Sequence, residues 1–289
     1  MLLEVTVVGC ALDLAPFLLL EVIAAIGLGM VAMAALVWAP PRWVLALGAA
    51  IVAGHQLLQP APGLGGALGP LRSLLLTPGP LAPLAPGFAA YPAIPWLGVM
   101  CLGYGLAPGF TWPAERRRRA LLLGGAAAVA AFLALRVANG YGDTAPWSPQ
   151  RSGALAARSF LKVTKQPPSL DFVLVTLGLS LPLGVAVERL RGPAGRLLLA
   201  FGRVPLFAFV GHLYLAHLLA MAVGAATGVP ASAFVRSISD PARLRDAGWG
   251  FGLAAVYAWW ALVVLAMWPL AAWYARVKRE RPRWWMRYL

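Results

Sequence analysis

The chain has 289 residues, of which 61% are hydrophobic and only 12% charged, and its mean hydropathy is +0.76. A soluble domain would have to leave much of that apolar area in water, and a disordered chain would need low hydrophobicity, so both classes are excluded. Lys and Arg outnumber Asp and Glu by 24 to 10, for a net charge of +14, yet the cations cluster between apolar stretches, so nucleic acid is not an expected partner. Cys10 and Cys101 both lie inside apolar segments without metal-ligand spacing, which predicts neither a disulfide framework nor a metal site. Glu4 and Asp13 stand where a cleavable signal would be uncharged, so insertion is expected to rely on the spans themselves.

A helix needs about 20 mainly apolar residues to cross the hydrocarbon layer. In chain order, Leu2–Leu14 is too short to cross before Pro16, and it reads as the end of a helix beginning upstream or as an interfacial helix. Seven full candidates follow: Phe17–Trp38, Trp43–Leu58, Phe88–Ala107, Ala120–Val137, Leu170–Val187, Val204–Thr227 and Gly250–Ala275. The predicted fold is all-α, a polytopic transmembrane helical bundle of about seven full spans plus a partial N-terminal segment, forming one domain over residues 1–289. Alternating the spans puts Arg42, Arg116–Arg119, Arg189, Arg191, Arg196, Arg203 and the basic tail on one side, fifteen of the 24 cations. Basic loops stay in the cytosol, which predicts a multi-pass protein of the cytoplasmic (inner) membrane with a cytoplasmic C-terminus. The Arg116–Arg119 run reads as a topogenic and headgroup anchor, and Trp284, Trp285 and Tyr288 read as an interfacial aromatic belt.

The opposite side holds three longer connections, Gln59–Gly87, Ala138–Ser169 and Gly228–Trp249. Within the first, Leu71–Leu76 could form a short re-entrant or interfacial turn. Ionisable groups are costly at membrane depth, which singles out Glu21, His55, His212 and His217. His212 and His217 are five residues apart, about 140° around a helix, so they cannot chelate one metal together. Each histidine is either a hydrogen-bonded packing residue or a general base or acyl carrier. The segment Asn139–Trp147 reads as an ordered turn: its glycines permit positive φ, Asp143 can cap or bind a sugar hydroxyl, and Tyr141 and Trp147 can stack on a ring. Arg203 enters its span from the cytosolic side two residues before Pro205, at the depth of a lipid phosphate or of a cofactor phosphate.

Five stretches taken in order resemble a bacterial multi-pass family related to the heparan-alpha-glucosaminide N-acetyltransferase catalytic domain. They are Tyr91-Pro-Ala-Ile-Pro-Trp-Leu-Gly-Val-Met100, Asn139–Trp147, Thr164-Lys-Gln-Pro-Pro-Ser-Leu170, Phe201–Phe207 and His212-Leu-Tyr-Leu-Ala-His217. The resemblance implies transfer of an acetyl or other acyl group from a cytosolic coenzyme A thioester to an amine or hydroxyl acceptor on the outer side. The residue map agrees with that transfer: it puts Arg203 at the donor phosphates, leaves His217, His212 and His55 as catalytic candidates, and sets Asn139, Tyr141, Asp143, Trp147 and Asp171 about the acceptor. The family's own catalytic residue carries over to no position here. The family opens on an Arg- and Asp-containing stretch before a first helix that bears a functional histidine. This chain has no counterpart, so it is expected to lack its N-terminal helices. Expected partners are the lipid bilayer, a small-molecule or glycan acceptor and, in a homo-oligomer, further copies of the chain. Two other readings use the same residues: a transporter or flippase-like protein with proton-coupled histidine gates, and an inactive truncated membrane scaffold. Matched broken-helix repeats, common in transporters, are not found.

Overall fold

A computed structural model describes residues 18–59, 66–234 and 241–287. The predicted segment Leu2–Leu14, Cys10 within it, and Tyr288 of the tail lie outside the described residues. Among the described residues the chain is mostly helical, with eleven α-helices and one small three-stranded sheet. It divides into two compact units, Phe17–Glu188 and Arg189–Leu289.

The first unit runs β1 (Leu18–Leu20), α1 (Val22–Leu36), α2 (Pro41–Leu58), α3 (Gly69–Leu75), β2 (Gly79–Pro80), β3 (Gly87–Ala89), α4 (Ala93–Leu106), α5 (Ala114–Ala138), α6 (Gly153–Leu161) and α7 (Leu170–Val187). The sheet corrects the all-α expectation: β1 pairs parallel to β3, Leu18 opposite Gly87, and β2 pairs antiparallel to β3. Three leucines in a row suit a strand or a helix equally, and a partner some 70 residues away decides between them. The predicted turn over Leu71–Leu76 is present as most of the short helix α3.

Among the described residues, five helical segments are long and apolar enough to cross a membrane: Ala93–Thr111, Ala114–Ala138, Leu170–Val187, Pro205–Ala226 and Leu253–Glu280. The other two expected spans are also helices but fall short. α1 has 15 residues because Leu18–Leu20 is drawn off into the sheet, and the 18 residues of α2 include Arg42, His55 and Gln56.

Two close helix pairs organise the first unit. α2 packs along α4, where Met33, Val44 and Cys101 form a buried cluster that α1 also joins. Small residues set the separation, as they do where lipid supplies no hydrophobic drive between helices. A Cβ placed on Gly48 would lie 2.7 Å from the backbone nitrogen of Leu102, and one on Gly98 would lie 2.7 Å from Ile51 Cγ2. α5 packs along α7 in the same manner, Gly125 receiving Pro182 and Gly178 receiving Val129.

At one end of the α5–α7 pair, Arg117 Nη2 and Arg118 Nε donate to the two carboxylate oxygens of Glu188 at 3.0 and 2.9 Å. Part of the predicted four-arginine anchor therefore ties two helix ends together. Hydrogen bonds from Arg118, then Arg117, hold the Glu188 carboxyl below its ordinary value of 4.5. A depressed carboxylate contributes stability in full above that ordinary value and loses it as the pH falls through the lower folded value. Thermal unfolding followed from about pH 7 to about pH 3 should therefore show an acid-side decline that is shallower in Glu188→Gln. Identical slopes would leave the pair without a role in acid stability.

The second unit runs α8 (Gly192–Arg203), α9 (Pro205–Ala226), α10 (Pro241–Asp246) and α11 (Leu253–Glu280). α8 carries Arg196 and Arg203 seven residues apart on one face, with the buried Ala200 between them on that same face. Val204 leaves the helical region at φ −138° and ψ 55°, as the residue before a proline tends to, and α9 starts afresh at Pro205. Ala200, Val204, Ala271, Tyr274 and Met286 form the core, with Phe207 stacked on Tyr274 at 4.4 Å. Of the 22 residues of α9 only Gly224 is buried, and Leu253, Tyr257, Trp260 and Leu265 on α11 are exposed. Apolar exposure on this scale suits hydrocarbon rather than water.

Candidate functional site

The first unit gathers six of the predicted site residues around the facing ends of α2, α5 and α7. Asn139 ends α5 in the left-handed conformation at φ 52°. Its side chain accepts from Trp147 N at 3.0 Å and donates to Trp147 O at 2.9 Å, closing the predicted turn. Trp147 Nε1 donates to Arg136 O at 2.7 Å and its ring meets Phe160 edge-on at 5.5 Å. Asp143 accepts from Ala145 N, Thr164 N, Thr164 Oγ1 and Ser169 Oγ at 2.9, 2.8, 2.6 and 3.0 Å. Tyr141 Oη donates to Ala53 O of α2, and burial pushes its phenol up. Asn139 and Asp143 thus spend their hydrogen bonds on the chain itself.

Arg136 is the residue that sequence reading missed. It is 2% exposed and donates to Phe160 O, Ala145 O, Ser159 O and Lys162 O between 2.6 and 3.2 Å. Its guanidinium also pairs at 3.7 Å with Oδ2 of Asp171, which is 1% exposed. The signal was available: a single arginine inside an otherwise apolar stretch demands partners at membrane depth. Asp171 N donates to Gly142 O at 2.8 Å, while its Oδ1 has no hydrogen bond among the described residues. Gly142 has φ 109°, and a Cβ there would collide with that same Oδ1, so both backbone and space require glycine.

His55, 2% exposed, sits on the α2 end of this cluster. Its Nδ1 donates to Ile51 O and Val52 O at 3.0 and 3.2 Å, and its Nε2 is buried without a hydrogen bond of normal geometry among the described residues. The next residue, Gln56, accepts from Leu170 N at 3.3 Å, joining α2 to the start of α7.

The remaining three predicted residues belong to the second unit. Arg203 lines a pocket of about 550 Å³ together with Arg196 of α8 and Arg276 and Arg279 of α11. Trp268, Pro269 and Trp273 supply apolar wall, and among the described residues no carboxylate lines the pocket. Arg279 pairs at 3.5 Å with Glu280, both well exposed. Four guanidiniums around one concavity make a strongly positive site, able to grip phosphate through paired N–H donors and to lay an indole against a flat ring. Sequence reading singled out Arg203 alone, because two of its three companions, Arg276 and Arg279, come from a helix more than seventy residues further along the chain.

His212 and His217 face different surroundings on α9. His212 borders an apolar pocket of about 340 Å³. His217 buries Nε2 without a hydrogen bond among the described residues and meets Phe234 edge-on at 6.3 Å. Compared with known proteins, the chain matches no family model, no curated protein and no solved structure.

Proposed function

We propose that the protein is a multi-pass acyltransferase of the cytoplasmic membrane, using a cytosolic acyl coenzyme A, acetyl-coenzyme A for example, to modify an amine or hydroxyl on the far side. The observation that carries this reading is the pocket of Arg196, Arg203, Arg276 and Arg279. Coenzyme A presents several phosphate groups and an adenine, which suit four guanidiniums and the tryptophan walls. The order of motifs resembling the acetyltransferase family supports the same reading, as does the arginine excess on the side assigned to the cytosol. In this scheme α1 and α2 complete seven crossings, and the C-terminal basic tail stays in the cytosol beside the donor pocket. His55, Asp171 and the Asn139–Trp147 turn lie toward the acceptor side, and His212 or His217 serves proton transfer within the bundle.

Binding of labelled acetyl-coenzyme A to the purified full-length protein tests the donor site. Removing one charge-assisted hydrogen bond to a phosphate should weaken binding roughly tenfold or more in Arg203→Ala, and to a similar degree in Arg276→Ala. Unchanged affinity in both variants, or no saturable binding to the parent protein, would remove the donor from the scheme. Competition by anionic-lipid vesicles but not by free coenzyme A would reassign the pocket to headgroups.

A further inference from the structure

The second unit carries another cavity, on the opposite face of α11 from the arginine pocket. Its α11 wall is Val256, Trp259, Trp260 and Val263, about 180° around the helix from the mean direction of the arginine-pocket residues of that helix. From α9 it takes His212 at one end and Val223 at the other, eleven residues or about 16 Å apart along the axis. Its volume, about 340 Å³, falls within the range of small-molecule sites, roughly 300–1,000 Å³.

All of the lining except His212 is aliphatic or aromatic. His212 Nδ1 stands 3.2 Å from Ala208 O, and a carbonyl can only accept, so Nδ1 carries the proton. In the neutral ring Nε2 is then an acceptor, and none of the described residues donates to it. The walls therefore offer a long apolar bed and one acceptor that calls for a donor. An ammonium is disfavoured because, among the described residues, no carboxylate lines the pocket, and a water-soluble polyol would lose its hydration against indole and valine. The α9 and α11 walls belong to candidate membrane spans, with Trp249 and Phe251 just before α11 completing the lining, so lipid is the medium that faces most of the pocket.

We infer that this pocket binds a membrane-resident lipophilic alcohol, its chain lying between α9 and α11 and its hydroxyl donating to His212 Nε2. The site stands on its own geometry and does not depend on the acyl-transfer reading.

The test uses full-length protein in lipid nanodiscs and a long-chain alcohol bearing a photoreactive diazirine, with cross-links mapped by mass spectrometry. Cross-links should concentrate in the α9 and α11 peptides that line the pocket, and excess hexadecanol should displace them roughly three- to tenfold better than hexadecane, which has no donor. The preference should vanish in His212→Leu and persist in His212→Gln, which keeps an acceptor; tryptophan emission of each variant checks its fold. Equal competition by alcohol and alkane in the parent protein overturns the inference. So does an unchanged preference in His212→Leu, or labelling spread evenly over every lipid-facing helix. Alkylammonium competing better than the alcohol would overturn the neutral-donor assignment. No saturable coenzyme A binding to the parent protein, with the alcohol preference intact, would refute the donor reading alone.

Discussion

Arg136→Met is expected to cost the first unit about 3–5 kcal/mol, the typical penalty for removing one partner of a buried ion pair. The side chain of Arg136 satisfies four backbone carbonyls and faces the Asp171 carboxylate. Methionine fills similar volume but donates nothing, so those carbonyls would stay buried and unsatisfied and the Asp171 carboxyl would lose its cation. Arg136→Lys should recover only part of the loss, because one ammonium cannot span carbonyls from residues 145 to 162 as the planar guanidinium does. Combining Arg136→Met with Asp171→Asn should be less damaging than the two single losses summed, since the pair interacts directly. Thermal unfolding in detergent reads all four variants. A loss of less than about 1 kcal/mol for Arg136→Met would mean that water reaches this site.

Gly48→Leu is the second large effect, through helix separation rather than charge. A Cβ at Gly48 meets Leu102 N at 2.7 Å, Cys101 Cβ at 2.8 Å and Gly98 O at 2.8 Å. Two of those atoms are backbone and cannot turn aside, so α2 and α4 must move apart. Gly48→Ala should already cost about 1–3 kcal/mol, the usual range for overpacking, and Gly48→Leu more. Gly54, on the same helix, has nothing among the described residues within 4 Å of its would-be Cβ. Gly54→Ala should therefore stabilise α2 by up to about 1 kcal/mol, through helix propensity alone. Similar melting shifts for Gly48→Ala and Gly54→Ala would show that the close approach does not govern the packing.

The two variants mark where sequence reading stops. Both glycines lie in the same apolar run and look alike to any count of hydropathy; only the position of α4 separates them. Arg136 was legible as a charge in an apolar stretch, but its partners lie 9 to 35 residues further on, in a loop, in α6 and in α7. The turn Asn139–Trp147 was legible because glycine and asparagine tolerate positive φ. Its ties through Tyr141 to α2 and through Asp143 to Thr164 and Ser169 were not.

What the order of residues determined by itself is the membrane-spanning character and the place of most helices. Hydrocarbon leaves a backbone no hydrogen-bonding partner but itself, so each crossing must be written as one local, uninterrupted apolar stretch. What only the tertiary structure decided is which of those stretches stop short and which distant side chains meet. Leu18–Leu20 joins Gly87–Ala89, Arg136 finds Asp171, and four arginines from α8 and α11 close on one pocket. Such meetings depend on packing between segments far apart in the chain, and no local period or composition encodes that separation.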